Sequence, residues 1–167
     1  MITLVIGGAR SGKSDLGARL ASRLGDPVTV VVPTTFPTDP DLAARVRAHQ
    51  ARRPDSWTTV ECGAALPATL AATAGPALVD SLGTWLAESP GFDADTAALL
   101  GALANRSGST VLVTEEVGLS VHPPTESGRR FADALGALNR GVADVADEAL
   151  LTVAGRVVPL RRPDGGP

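Results

Sequence analysis

The chain has 167 residues, 44% hydrophobic and 20% charged, the proportions of one globular domain rather than of a disordered segment despite 18 Gly and 13 Pro. Fifteen basic against eighteen acidic residues leave a net charge of −3, so no basic excess draws the chain onto a nucleic-acid backbone. A single cysteine, Cys62, cannot form an internal disulfide, and no apolar run approaches the roughly 20 residues of a membrane span. Met1 leads directly into Ile-Thr-Leu-Val-Ile-Gly-Gly without a leader pattern, so the expectation is a soluble cytoplasmic protein: one domain over residues 1–162, with 163–167 as a flexible tail.

Ile2 to Ile6 is a short apolar run bounded by glycine, as in a strand buried on both faces. Leu16, Leu20 and Leu24 then recur every four residues, which predicts an amphipathic helix stopped by Gly25. Val28 to Val32 reads as a second buried strand ended by Pro33. Thr38 or Asp39 as cap, Pro40 in the first turn and Asp41 at the positive end predict a helix from about Pro40 to Arg52, and this helix carries His49. Trp57 to Glu61 reads as a strand, Pro67 to Thr73 as a short helix, and Ala77 to Asp80 as a buried strand ending in a carboxylate. Leu99, Leu100 and Leu103 mark a helix before a strand at Thr110 to Thr114. Phe131, Leu135, Leu138, Val142 and Val145 fall on one face of the longest helix. Glu148 to Val153 and Val157 to Leu160, joined through Gly155-Arg156, read as a terminal hairpin. Strands alternating with helices predict an α/β fold, a mainly parallel sheet flanked by helices, with that C-terminal hairpin added.

Between the first strand and the first helix, Gly7-Gly8-Ala9-Arg10-Ser11-Gly12-Lys13-Ser14 satisfies the phosphate-loop pattern of Gly, four residues, Gly, Lys and then Ser or Thr, which makes the predicted sheet P-loop NTPase-like. The small residues let backbone N–H groups turn inward around phosphate oxygens, and the following helix presents its own unpaired N–H groups. Lys13 is the only lysine among the fifteen basic residues, and its ammonium suits β- and γ-phosphates. The Ser14 hydroxyl is a ligand for Mg²⁺, and Asp80 at the end of its strand is the carboxylate that such a site wants, with Glu116 as the alternative. Asp80 has a second reading as a cap on the segment that follows. No Asn-Lys-x-Asp element is present, which disfavours a Ras-like GTPase.

His49 follows Leu42 by seven residues and Val46 by three, at the edge of an apolar face. From the residues alone, it is either a packing histidine or a nucleophile toward phosphorus, roughly three-quarters neutral at pH 7. Arg45, Arg47, Arg52 and Arg53 crowd the same helix and its exit, as a solvated face or as a phosphate clamp. Trp57 and Trp85 read as packing anchors, Cys62 as an inert thiol and His122 as a loop residue.

The phosphate loop at 7–14, Asp41-Leu42-Ala43-Ala44-Arg45-Val46 with His49 and Arg53-Pro54, and Trp57-Thr58-Thr59-Val60-Glu61 together resemble the bifunctional adenosylcobinamide kinase/adenosylcobinamide-phosphate guanylyltransferases. Val79-Asp80-Ser81-Leu82 with Trp85-Leu86, then Glu116-Val117-Gly118, Phe131, Asp133, Gly136 and Asn139, continue the likeness in order over nearly the whole chain. The resemblance implies phosphorylation of adenosylcobinamide with ATP or GTP, then transfer of GMP from GTP through a guanylylated His49. It further implies nucleotide contacts at Pro33, Thr34, Thr35, Gln50, Ala51, Arg52, Arg53, Glu61 and Asp80, Mg²⁺ as cofactor, and a homotrimer. The chain departs from the family pattern at Pro33, Gly83-Thr84, Glu88, Glu115, Ala132 and Arg140. The alternatives are another small-metabolite P-loop kinase without a histidine intermediate, or a nucleotide-binding regulatory protein.

Overall fold

The computed structural model describes residues 1–34, 54–119 and 121–162. Seven strands form one sheet in the order β3-β2-β4-β5-β1-β6-β7. They are β1 (Ile2–Gly7), β2 (Thr29–Val32), β3 (Thr58–Glu61), β4 (Ala77–Asp80), β5 (Thr110–Glu115), β6 (Glu148–Val153) and β7 (Arg156–Leu160). All neighbours pair in parallel except β6 and β7, the antiparallel terminal hairpin. Five α-helices are present among the described residues: α1 (Lys13–Ala21), α2 (Leu66–Ala72), α3 (Leu82–Glu88), α4 (Thr96–Asn105) and α5 (Glu126–Val145). None of the described helices is long and apolar enough to cross a membrane. The helix expected over Pro40 to Arg52 lies outside the described residues.

Successive side chains on a strand point to opposite faces, so a run without polar breaks needs cover on both sides. Leu4 and Ile6 of β1 join Leu112, Val79 and Val31 in a core with α2 to α5, while Val5 faces the other way with Val111, Val113, Val30 and Leu16 of α1. Trp85 is fully buried and its indole N–H donates to the Ala64 carbonyl at 3.3 Å, and Trp57 packs on the α1 side, both as anchors. Phe92 meets Phe131 edge to face with centroids 5.3 Å apart.

Three local readings differ from the structure. The first helix ends at Ala21 rather than near Gly25. Arg23 N donates to the Leu20 carbonyl and Leu24 N to that of Ala21, each at 3.0 Å, so the chain leaves the helix through tighter three-residue turns. The hydroxyl of Ser22 donates to the Arg19 carbonyl at 2.9 Å, offering that backbone a local partner in place of a further helical turn. Helix α3 was not anticipated as an element, although Ser81 caps it and Leu82, Trp85 and Leu86 follow at helical spacing and are buried. Its seven residues are too few for periodicity to stand out, and Gly83 in its first turn weakens the signal. In the hairpin the turn falls on Ala154-Gly155, not Gly155-Arg156: both have positive φ, 50° and 70°, the left-handed pair that a two-residue turn requires.

At the opposite end of the sheet from the phosphate loop, Arg106 ties two turns together. Its Nη1 donates to the carbonyls of Gly108 and Ser109 at 3.2 Å and to the Thr110 hydroxyl, and its Nη2 to the carbonyls of Thr73 and Gly75 at 2.9 Å. Burial lowers the guanidinium pKa from its ordinary value, the cost that these carbonyls offset. The two turns approach so closely that a Cβ on Gly108 would lie 2.0 Å from the Gly75 carbonyl oxygen. Gly108→Ala is therefore expected to destabilise the fold by about 2 kcal/mol, the usual scale of overpacking against backbone. Thermal melting should show this as a loss of roughly 4–8 °C for a chain of this size.

Candidate active site at the carboxyl edge of the sheet

The strands adjoining β1 are parallel to it, so their carboxyl ends open on one edge, and that edge carries the polar residues singled out by sequence. The loop after β1 turns through Arg10 at φ 56° and Gly12 at φ 94°, left-handed positions that bring successive amides to one side. Gly12 is also the N-cap of α1, and Leu16 N donates to its carbonyl at 3.0 Å. The terminal hairpin braces the loop from outside, because Gly155 N donates to the Ser11 carbonyl at 2.9 Å. Gly7, Gly8, Ala9, Arg10, Ser11, Gly12, Lys13 and Ser14 thus stand as strand end, loop and helix start.

Lys13 is mostly buried, its side chain 12% exposed. Its Nζ donates to the Gly8 carbonyl at 3.3 Å and stands 3.7 Å from Glu115 Oε1. The Ser14 hydroxyl donates to Asp80 Oδ1 at 3.4 Å, which joins the helix start to the end of β4. The competing view of Asp80 as a cap fails: Ser81 caps α3, its Oγ accepting from Thr84 N at 3.4 Å. Asp80 is left facing Ser14.

Sequence reasoning missed Glu115. Glu116, the alternative metal carboxylate, instead accepts the amides of Gly118 and Leu119 at 2.6 and 3.1 Å and so shapes its own turn. Glu115 is the last residue of β5, and its carboxylate accepts the Ser81 hydroxyl at 3.0 and 3.1 Å as well as facing Lys13. A carboxylate one residue before the suspected one, closing a strand between the phosphate-loop strand and the Asp80 strand, was the available signal. Asn139 of α5 sets this strand end: it donates to the Glu115 carbonyl at 3.0 Å and accepts the Thr114 hydroxyl at 2.7 Å.

A second group of expected nucleotide contacts lies further along the edge. Pro33 is buried directly after β2, and the Thr34 hydroxyl donates to the Glu88 carboxylate. Glu61 is exposed at the end of β3. Three strands separate β3 from β1, so Glu61 stands roughly 19 Å from the phosphate loop along the edge at about 4.8 Å per strand. Thr35, His49, Gln50, Ala51, Arg52 and Arg53 lie outside the described residues. Cys62 is half-buried; burial raises its thiol pKa and the Glu88 carboxylate adds to that, against a lowering hydrogen bond with Thr69. That environment suits an unreactive thiol. His122 is an exposed loop residue.

A strand–phosphate loop–helix unit within a parallel sheet, with a lysine, a helix-start serine and an aspartate converging on one edge, defines a P-loop nucleotide-binding protein. The sequence profile described as "Cobinamide kinase / cobinamide phosphate guanyltransferase" matches residues 3–160, and the chain belongs to that family. It is 38% identical over 170 residues to the bifunctional adenosylcobalamin biosynthesis protein CobP of Pseudomonas aeruginosa, covering 96% of this chain and 98% of that one. It is 31% identical over 184 residues to the bifunctional adenosylcobalamin biosynthesis protein CobU of Salmonella typhimurium, covering 96% and 100%. Among solved structures, the P4 protein of bacteriophage phi6 in complex with ADP aligns at TM-score 0.42 and 18% identity, over 98% of this chain and 55% of that one.

Proposed function

We propose that this chain phosphorylates the aminopropanol hydroxyl of adenosylcobinamide with ATP or GTP and then moves GMP from GTP, through His49, onto the resulting phosphate. The observation that carries the first step is the meeting of Lys13, Ser14 and Asp80 at one strand edge beside the loop amides. The loop N–H groups and the Lys13 ammonium hold the phosphates and stabilise charge on the transferring phosphoryl group. The acceptor oxygen forms the new bond to the γ-phosphorus as the bond to the β-bridging oxygen breaks.

Ser14 and Asp80 offer two hard oxygen donors side by side, a set that fits Mg²⁺, which takes few protein ligands and completes its shell with phosphate and water. When bound there, Mg²⁺ would offset negative charge on the phosphates.

In the second step a ring nitrogen of His49 bonds the α-phosphorus of GTP while the bond to pyrophosphate breaks. A phosphate oxygen of the phosphorylated corrinoid then bonds that phosphorus, the P–N bond breaks, and adenosylcobinamide-GDP leaves. Nitrogen suits the carrier because it bonds phosphorus readily and leaves again once protonated. The support for His49 is its place in the ordered motifs shared with the family. Pro33, Thr34, Thr35, Gln50 to Arg53 and Glu61 would contact the guanine nucleotide, and Arg53 the departing pyrophosphate. We assign the activity to one domain over residues 1–162, acting in the cytoplasm as a homotrimer.

Intact mass after incubation with Mg²⁺ and GTP alone tests the covalent step. The expected result is one guanylyl adduct, removed by mild acid, with release of pyrophosphate. No adduct and no pyrophosphate would leave a kinase without a histidine carrier.

A further inference from the structure

The Glu115 carboxylate has a built seat and a role that the two reactions above do not use. It accepts the Ser81 hydroxyl, lies 3.7 Å from the Lys13 ammonium, and is 31% exposed. Its backbone carbonyl is fixed by Asn139. Gly83 leaves room for it in this position: a Cβ there would lie 1.9 Å from Glu115 Oε2 and 2.9 Å from its Cδ.

We infer that Glu115 is a positioning residue for the phosphate-loop lysine: admitted by Gly83 and seated on Ser81, its carboxylate holds the Lys13 ammonium at the mouth of the loop and offsets its charge until phosphate arrives. A lysine side chain has four flexible carbons and loses substantial rotamer freedom when ordered. A fixed counter-ion removes part of that loss before the nucleotide binds, which favours the chemical step. The same carboxylate opposes the incoming phosphates, which weakens ground-state binding. Glu115 therefore trades nucleotide affinity for turnover, and its removal moves the two in opposite directions. This rests on the kinase reading of the loop, but the binding half of the test needs nucleotide alone and does not depend on the corrinoid or on His49.

Glu115→Gln keeps the size of the side chain and removes the charge. Its dissociation constant for Mg–ATP, measured by calorimetry, is expected to fall about three- to tenfold, and kinase kcat to fall by about the same factor. Gly83→Ala reaches the same end by a separate route, because the new methyl displaces the movable carboxylate, and it should reproduce both changes. In a Glu115→Ala background the same glycine change should add nothing, since the atoms it would strike are gone. Glu115→Asp, still charged but one methylene shorter, should fall between wild type and Glu115→Gln. A purely structural role would lower the melting temperature and leave both parameters where they were. Unchanged or weaker Mg–ATP binding, an unchanged kcat, or additive effects of the two positions would each overturn the assignment.

Discussion

In a His49→Ala variant, incubation with Mg²⁺ and GTP is expected to leave the protein mass unshifted, while phosphorylation of adenosylcobinamide remains measurable. In the proposed scheme the covalent step needs an unprotonated nitrogen that can bond phosphorus and later depart, the role assigned to His49. His122, the chain's second histidine, is exposed in the loop before α5. In the proposed scheme the two activities share the loop but only the second uses His49, so the alanine change is expected to separate them. Guanylylation should fall to background, beyond the loss expected from one weakened contact, because the proposed intermediate could not form. Stoichiometric acid-labile labelling of the variant would sink the assignment, and loss of both activities with intact folding would show that residue 49 serves nucleotide binding instead. An ADP-release assay with adenosylcobinamide and Mg–ATP, together with intact mass on the same preparation, distinguishes these outcomes.

Lys13→Ala is expected to lower kinase kcat by about 10² or more, the scale seen when one preorganised electrostatic contact to a transition state is removed. The ammonium is enclosed, 12% exposed and within hydrogen-bond reach of the Gly8 carbonyl, so water cannot substitute for it freely. Lys13→Arg is the sharper variant. A chain that uses arginine for all its other positive side chains has kept a lysine here. The planar guanidinium is larger and presents its donors in a fixed fork, whereas the loop asks for a compact point charge between the Gly8 carbonyl and Glu115. We expect arginine to recover less than about a tenth of the lost rate. Steady-state kinetics with Mg–ATP checks both variants, and near wild-type turnover in Lys13→Ala would remove the lysine from the mechanism.

Most of the parallel sheet was readable because its inner strands are short runs dominated by apolar, β-branched residues. Ile2 to Ile6, Val28 to Val32 and Ala77 to Val79 carry no charge and, apart from Thr3 and Thr29, no polar side chain, since both faces are covered. The long helix over Glu126–Val145 announced itself through five apolar residues on one face, four turns of consistent spacing. Shorter elements lack that redundancy. Helix α3, with seven residues and a glycine in its first turn, offers only one repeat of its period, and Ala154 in a left-handed turn contradicts the usual preference for glycine or asparagine.

For the site, the order of residues along the chain determined the chemistry that the phosphate loop can perform, because Gly7 to Ser14 carries its function in contiguous backbone and one lysine. Asp80 was readable for a related reason: it closes an apolar run whose end must face the same edge as the loop. Which of two adjacent glutamates enters the site was decided only by the tertiary structure. Glu115 and Glu116 differ by one position at the end of β5, and whether either meets Lys13 depends on Ser81, Asn139 and the space above Gly83, three residues on other elements. A side chain's type and local backbone set what it can do, whereas its partner is chosen by packing between segments distant in sequence.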